Sequence, residues 1–334
     1  MKFLVCEPIH EAGIEYLRQY GEVTMAPDIK TETLVDLVRD KDAIFVRTWR
    51  LPEEVIDAGV NLKVIARQGK EMTNIPVEYA TKKGIAVVNA AHSNALSVAE
   101  HNIALMMAIS RHIVEGDRHM RAGDCSDASK KSLSSICSQL GLRGCELSGK
   151  VHGIIGYGDI GKHIADISIN GFKMHVLINS RTPRELPVGA EWVNTIDEVF
   201  ERSDFVSMAV PILPETTKLI GEAQFRLMKP SAYFINISRG KVVVEAALVR
   251  ALSEKWIRGA ALDVFETEPP AADNPLFKLD NVVLTPHAGA ITDESLYRMA
   301  MEQVTGVVSV LKGVTPPNLY NPGYEKYIPQ TGSC

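Results

Sequence analysis

The sequence predicts an α/β protein built on doubly wound parallel sheets, and three observations carry that prediction. Short apolar runs alternate with helix-like segments almost from the first residue, the pattern of a parallel sheet covered by helices. The run Val151 to Ile155 feeds a G-x-G-x-x-G turn, Gly156-Tyr157-Gly158-Asp159-Ile160-Gly161, and a helix-like stretch follows. The length, 334 residues, exceeds what one core of ordinary size needs, so two domains are expected.

Taken in order, Phe3 to Cys6 reads as a strand, Glu11 to Tyr20 as a helix and Thr31 to Val38 as another. Ala43 to Val46, Val64 to Ala66 and Ile85 to Val88 are short apolar strands. Ser97, with Glu100 three residues on, has the look of a capping box opening a helix that runs to about Arg121. From Ala122 to Gly149 the chain is rich in Ser, Gly, Asp and Cys and weakly periodic, so a long loop is expected there. Beyond Gly149 the strand candidates are Val151–Ile155, His175–Ile178, Phe205–Met208, Tyr233–Ile237, Gly259–Leu262 and Val282–Leu284. Helical segments lie between most of them, including one from Lys162 to about Asn170. Thr292 precedes a last helix to about Leu311, and a Pro- and Gly-rich tail is expected to be extended.

Composition narrows the function. Hydrophobic content is 46%, charged content 23% and net charge −5, which favours neither nucleic acid nor an anionic membrane as partner. No apolar run approaches the roughly 18 residues of a membrane span, and the N-terminus lacks the apolar stretch of a signal peptide. Cys6, Cys125, Cys137, Cys145 and Cys334 form no close pair, which fits reduced thiols and a cytoplasmic setting. Cys6 reads as a small buried hydrophobe at a strand end.

In the glycine turn each position has a physical task. Gly156 allows the tight turn, Gly158 lets a pyrophosphate approach the backbone, and Gly161 lets helix and strand pack closely. The free N–H groups of the helix start would hold the phosphates. A dinucleotide site is the expectation.

The blocks NAAHSNALSVAEHNIALMM, GKVHGIIGYGDIGKHIA, VPILPETTKLIG, FINISRG, GAALDVFETEPP and NVVLTPHAGAIT are together highly specific. Through them nearly the whole chain resembles the D-2-hydroxyacid dehydrogenase family. The resemblance implies two Rossmann-like domains with the active site in the cleft between them. Residues 1–98 with 293–334 would form a flavodoxin-like substrate domain, and 99–292 the NAD(P)-binding domain. It also implies a homodimer and a small 2-oxo or 2-hydroxy acid as substrate.

Carbonyl reduction by a nicotinamide, without metal, needs a cation near the carbonyl and an acid that titrates near neutrality. His287, just past an apolar strand in T-P-H-A-G-A, is by resemblance the acid/base. Glu268, in F-E-T-E-P-P, would orient that ring and favour its protonated form. Glu266 is a near neighbour that the family register passes over. Arg239, in N-I-S-R-G, would grip the oxo acid in a planar fork and polarise its carbonyl. Asp263 stands at a strand end as a supporting group. Cofactor contacts are expected from Gly156, Tyr157, Gly158, Asp159, Ile160, Gly161, Val210, Pro211, Thr216, Ile237, Asp263, His287 and Gly289. His10, His92, His101 and His112 form no metal-binding pattern, so no metal is expected; His92 could instead line the cleft.

Two places depart from the family pattern. NAD-using members end the second strand of the nucleotide unit with an aspartate for the ribose 2′-hydroxyl. Here the segment is H-V-L-I-N-S-R-T-P-R, so Asn179 or Ser180 takes that position, with Arg181 and Arg184 close behind. An amide or hydroxyl beside arginines suits a 2′-phosphate, so NADP(H) is favoured, with NAD(H) the alternative. Where many members carry G-x-G-x-D-N for the substrate carboxylate, this chain has Gln68-Gly69-Lys70-Glu71-Met72-Thr73-Asn74. Backbone binding at Lys70 and Glu71 remains open to it. Arg47 follows an apolar strand and, with Lys70, could take a second anionic group, while Trp49 would restrict the pocket.

The expected activity is therefore an NADP(H)-linked reductase of glyoxylate or hydroxypyruvate type. The alternatives are an NAD-linked dehydrogenase of 3-phosphoglycerate or a related acid, and a silent nucleotide-binding corepressor. A corepressor has no chemical need for the Arg239, Glu268 and His287 set. An epimerase would want a Tyr–Lys pair, and none is convincingly placed.

Overall fold

Every strand ladder in the computed structural model, which describes residues 1–91, 93–126 and 132–328, is parallel. The chain divides into two units, Met1–Asn94 with Ala290–Cys334, and Ala95–Gly289.

The first unit alternates β1 (Lys2–Val5), α1 (Glu11–Arg18), β2 (Glu22–Met25), α2 (Thr31–Val38), β3 (Ala43–Val46), α3 (Glu53–Ala58), β4 (Val64–Arg67), α4 (Val77–Lys82) and β5 (Ala86–Asn89). The strand order is β2-β1-β3-β4-β5, the flavodoxin-like winding. Its inner strand β3 reads as an unbroken apolar run, and β4 as one up to Arg67, because both faces are covered. The strand β2 escapes a periodicity reading because it is an edge strand, only half-buried, with Glu22 and Thr24 in four residues.

The second unit opens with α5 (Ala95–Ser110), α6 (Ile113–Ala122) and α7 (Leu133–Gln139). Here the expectation is corrected twice. Ser97 does not cap a helix start: the helix begins at Ala95, and Ser97 is buried inside its first turn. The helix does not run on to Arg121 either, because His112 takes a left-handed conformation (φ 53°) that ends one helix and starts the next. The stretch expected to be loop holds α7, whose N-cap Ser132 accepts from the Ser135 N–H.

There follow β6 (Val151–Ile155), α8 (Asp159–Asp166), β7 (His175–Asn179), β8 (Ala190–Trp192), α9 (Ile196–Arg202), β9 (Phe205–Met208), α10 (Glu222–Leu227), β10 (Tyr233–Asn236), α11 (Glu245–Ser253), β11 (Gly259–Leu262) and β12 (Val282–Leu284). The order is β12-β11-β10-β9-β6-β7-β8, so the winding reverses at β6. The first turn of α8 starts at Asp159, three residues earlier than expected, and a π-helical turn, Ile167–Gly171, continues it. Phe200, Phe225 and Phe234 pack as an aromatic cluster under one face of this sheet, with Phe225 and Phe234 edge-to-face at 5.2 Å.

The chain then returns to the first unit. Helix α12 (Asp293–Leu311), capped by Thr292, packs on α1, β4 and β5. The tail beyond it seals the β5 edge. Asn318 donates to the Asn89 carbonyl, and Asn321 accepts from the Val87 N–H and donates to the Ile85 carbonyl. No helix among the described residues is long and apolar enough to cross a membrane.

Candidate active site

All strands of the second unit run the same way, so every loop that follows a strand emerges at one edge of the sheet. Because β10, β11 and β12 are neighbours, their loops are adjacent although far apart in sequence. Arg239 follows β10, Glu268 follows β11 and His287 follows β12.

The Nδ1 of His287 lies 2.8 Å from Oε2 of Glu268, whose other oxygen accepts the Phe265 N–H at 3.1 Å. Partial burial alone would raise the Glu268 carboxyl. The His287 hydrogen bond, the Phe265 N–H and the positive charges of His287 and Arg239 outweigh that, and hold it below the usual glutamate value. Glu266 is committed elsewhere: its backbone and carboxylate exchange hydrogen bonds with Glu245, and Lys218 pairs with it at 3.7 Å. That separates two glutamates which sequence alone leaves as neighbours.

Arg239 reaches this place through its turn. Asn236, fully buried, accepts from Ser238 N and Oγ and donates to the Arg239 carbonyl at 3.1 Å. Next to it, a Cβ on Gly240 would sit 1.9 Å from the Phe265 carbonyl. Only glycine lets the β10 loop press against the loop that carries Glu268.

Asp263 ends β11 and is buried. Oδ1 accepts from Thr285 Oγ1 at 2.6 Å and the Ala288 N–H at 2.8 Å, and Oδ2 accepts the Gly289 N–H at 2.9 Å. His101 of α5 approaches at 3.3 Å and also meets Thr285 Oγ1 at 3.1 Å. Burial would raise this carboxyl, but the bonds from His101, Thr285 and the two amides lower it on balance. Asp263 and Gly289 thus hold the His287 loop, with both carboxylate oxygens taken up internally. His101 and Gly240 are the residues that sequence reasoning missed, and no spacing signal ties His101 to Thr285, 184 residues on, or Gly240 to the backbone at Phe265.

At the carboxyl end of β6 the glycine turn is built as its motif requires. Gly156 has φ +101°, and a Cβ there would lie 2.5 Å from the Ala209 carbonyl. A Cβ on Gly161 would lie 2.1 Å from the Gly156 carbonyl. Around Gly158 a Cβ would meet nothing within 4 Å, so the backbone is open on the side a pyrophosphate needs. Tyr157 is buried and Ile160 half-buried, with Asp159 in the first turn of α8.

At the end of β7 the Asn179 amide donates to the Val193 carbonyl at 3.0 Å. Ser180 is therefore the side chain left at the tip, followed by exposed Arg181 and Arg184. Arg181 pairs with Glu215 at 3.2 Å. After β9, the Thr216 hydroxyl donates to the Pro211 carbonyl and accepts the Leu213 N–H, which folds the loop beginning at Val210. Ile237 is buried beyond β10. The glycine turn, with its backbone open at Gly158, fits an NAD(P) dinucleotide.

Arg47, Lys70 and Glu71 belong to the first unit, on loops after β3 and β4. Arg47 is half-buried, Lys70 exposed and Glu71 half-buried. Gly69 has φ +122° and its carbonyl accepts the Ala90 N–H at 3.3 Å. Cys6 is buried, with its thiol pushed up to about 12 by burial and by the charge of Glu7. His92 lies outside the described residues. Among the described residues no cluster of His, Cys, Asp or Glu could hold a metal ion.

Residues 103–289 match the family model described as D-isomer specific 2-hydroxyacid dehydrogenase, NAD binding domain. A glyoxylate reductase of Pyrococcus furiosus is 39% identical over 327 residues, covering 96% of this chain and 95% of that one. A D-3-phosphoglycerate dehydrogenase of Methanocaldococcus jannaschii is 38% identical over 325 residues, and there the match spans 96% of this chain but 59% of the relative. Among solved structures, an NADPH-dependent glyoxylate/hydroxypyruvate reductase of Sinorhizobium meliloti aligns with a TM-score of 0.84 at 26% identity, covering 98% and 99% of the two chains.

Proposed function

Since the chain belongs to the NAD(P)-dependent D-isomer specific 2-hydroxyacid dehydrogenase family, we propose that it reduces a small 2-oxo acid of the glyoxylate or hydroxypyruvate type with NADPH. The observation that carries the proposal is the Glu268–His287 hydrogen bond with the Arg239 charge acting on it.

In this reading Arg239 binds the carboxylate and carbonyl oxygens of the substrate through its fork of N–H donors and draws electron density from the carbonyl. His287, with Nδ1 held by Glu268, presents Nε2 to the carbonyl oxygen and gives it a proton as the alkoxide develops. Glu268, ionised, holds the ring in register and favours its charged form. A reduced nicotinamide, bound through the glycine turn, supplies the hydride. Asp263 keeps the His287 loop in place. Arg47 and Lys70 are proposed as cations for an anionic group of the substrate, with backbone help at Glu71. A homodimer completes the reading; α6 buries none of its residues and leaves Ile113, Val114 and Met120 exposed, an apolar face for a second copy.

Preference for NADPH is supported by Ser180 in place of an acidic residue at the end of β7 and by Arg181 beside it, which would exchange its ion pair with Glu215 for the 2′-phosphate. The Sinorhizobium relative is described as NADPH-dependent. The test is kcat/KM for glyoxylate, hydroxypyruvate and other 2-oxo acids, each with NADPH and NADH. An NADPH preference of about tenfold or more, cut sharply by Arg181→Ala, is expected. A clear NADH preference would refute the cofactor assignment.

A second reading, oxidation of 3-phosphoglycerate with NAD, is favoured by one feature. The Arg47 guanidinium has no hydrogen-bond or ion-pair partner among the described residues, so it is available to a phosphate. Oxidation of 3-phosphoglycerate, assayed with NAD and with NADP beside the 2-oxo acids, separates the two.

A further inference from the structure

Glu7 lies just beyond β1, and β1 pairs with β3. That pairing sets its carboxylate against the loop after β3. Oε2 accepts three successive backbone N–H groups: Arg47 at 2.7 Å, Thr48 at 2.8 Å and Trp49 at 3.0 Å. Oε1 accepts the Thr48 hydroxyl at 2.6 Å. Consecutive amides converging on one point form a nest that binds anions. Here the chain fills that nest with its own carboxylate.

The same loop is held from its other side. Asn74 donates to the Trp49 carbonyl at 2.8 Å, and its own carbonyl accepts the Leu51 N–H at 2.9 Å. The Asn74 side-chain oxygen accepts from Arg67 Nε at 3.3 Å. So the backbone of residues 47–49 is pinned through its N–H groups by Glu7 and through its carbonyls by Asn74. The Arg47 guanidinium, in contrast, is engaged by nothing among the described residues. A pinned backbone fixes the point from which the Arg47 side chain departs, which removes the loop's share of the ordering cost of taking an anion.

We propose that Glu7 is a positioning residue for substrate recognition, which fixes the Arg47–Trp49 loop so that the Arg47 side chain starts from one backbone position when it takes the anionic end of the substrate. The proposal rests on the reading of Arg47 as a substrate-binding cation. Glu7 touches only backbone and the Thr48 hydroxyl in that loop, so its effect passes through the loop, and the Glu7→Gln/Arg47→Met pair isolates the part carried by Arg47. Its carboxylate is suited to this: burial would raise it, but the bonds from Thr48, Trp49 and Arg47 hold it below the usual glutamate value, so it stays ionised.

The test uses the intact enzyme and four variants: Glu7→Gln, Glu7→Asp, Arg47→Met and the Glu7→Gln/Arg47→Met pair. KM and kcat for the oxo acid, KM for NADPH and the thermal midpoint are measured for each. Glu7→Gln puts an amide NH2 against backbone donors. It should raise KM for the oxo acid about fivefold to tenfold, with kcat and the NADPH KM changed less than about twofold. Glu7→Asp keeps the charge but not the reach, so its KM should fall between wild type and Glu7→Gln; this variant carries the test if Glu7→Gln does not fold. The double variant should be no worse than Arg47→Met alone. If Arg47→Met raises KM while both Glu7 variants lower only the thermal midpoint, Glu7 is merely structural and the proposal is overturned. Additive effects in the double variant would overturn it too. If Arg47→Met leaves KM unchanged, the Arg47 reading itself is wrong and the positioning role falls with it.

Discussion

His287 sits in the left-handed region with φ 55°, a conformation that bulky side chains seldom take. Such a residue costs about 1–3 kcal/mol and persists only when its surroundings over-determine it. Here they do. The His287 N–H bonds back to the Thr285 carbonyl at 3.1 Å, and Asp263 captures the next two amides. The strain therefore lies at the side chain assigned to proton transfer. Asparagine tolerates this backbone better than most residues, so His287→Asn should keep the fold while removing the acid. Turnover should drop by about 10²- to 10⁴-fold, with the NADPH dissociation constant changed little. Fluorescence titration with NADPH alongside steady-state assays checks both halves, and retained turnover would remove His287 from the chemistry.

At the scale of elements, the site depends on how closely two strand-end loops approach. Gly240 makes that approach feasible, because any Cβ there would overlap the backbone at Phe265 and Glu266. Backbone cannot yield as a flexible side chain does. Gly240→Ala should push the Arg239 turn away from the loop carrying Glu268 and lower kcat/KM by about 10²-fold, with a stability loss of about 1–3 kcal/mol. Rates near wild type with unchanged stability would show that the loops need no such contact. Gly13 is a milder case in the first unit, where a Cβ would sit 3.1 Å from the Ala300 side chain as α1 packs on α12, a contact the neighbours could accommodate by a small shift.

At the scale of the whole molecule, a buried histidine makes stability depend on pH. His152, on β6, is fully buried, and its two ring nitrogens each meet a serine hydroxyl at 2.8 Å, Ser168 on one side and Ser207 on the other. Burial drives its pKa down to about 3. The folded value lies below the unfolded one of about 6.5, so between them the unfolded chain binds the extra proton. Stability is therefore lost as pH falls from about 6.5 toward 3, by up to about 1.4 kcal/mol per pH unit from this one site. His152→Gln keeps a donor and an acceptor for the two serines but cannot titrate. Urea unfolding near pH 7 and near pH 5 should show a pH penalty for wild type about 2 kcal/mol larger than for the variant. Equal penalties would mean that other groups dominate acid unfolding.

Most of the order of strands and helices and the glycine turn were legible in the residues themselves, whereas the roles of Arg239, Glu268 and His287 came from the family resemblance. A parallel sheet puts each strand's end at the same edge, so a polar residue just past an apolar run is already half located. Edge strands such as β2 and β8 were not legible, because half-exposed strands lose the continuous apolar signature. Nor, apart from the Glu268–His287 pair that the resemblance implies, was the partner of any side chain. The resemblance picks Glu268 over Glu266, but only the folded chain shows Glu266 bonded to Glu245, and only it turns the Asn179 amide toward Val193 so that Ser180 holds the strand tip. Only the folded chain commits Asp263 to the His287 loop and Glu7 to the Arg47 loop. The physical reason is one of range: periodicity reports which face of an element is buried, whereas a hydrogen-bond partner is chosen by strand order and by how closely two backbones can approach.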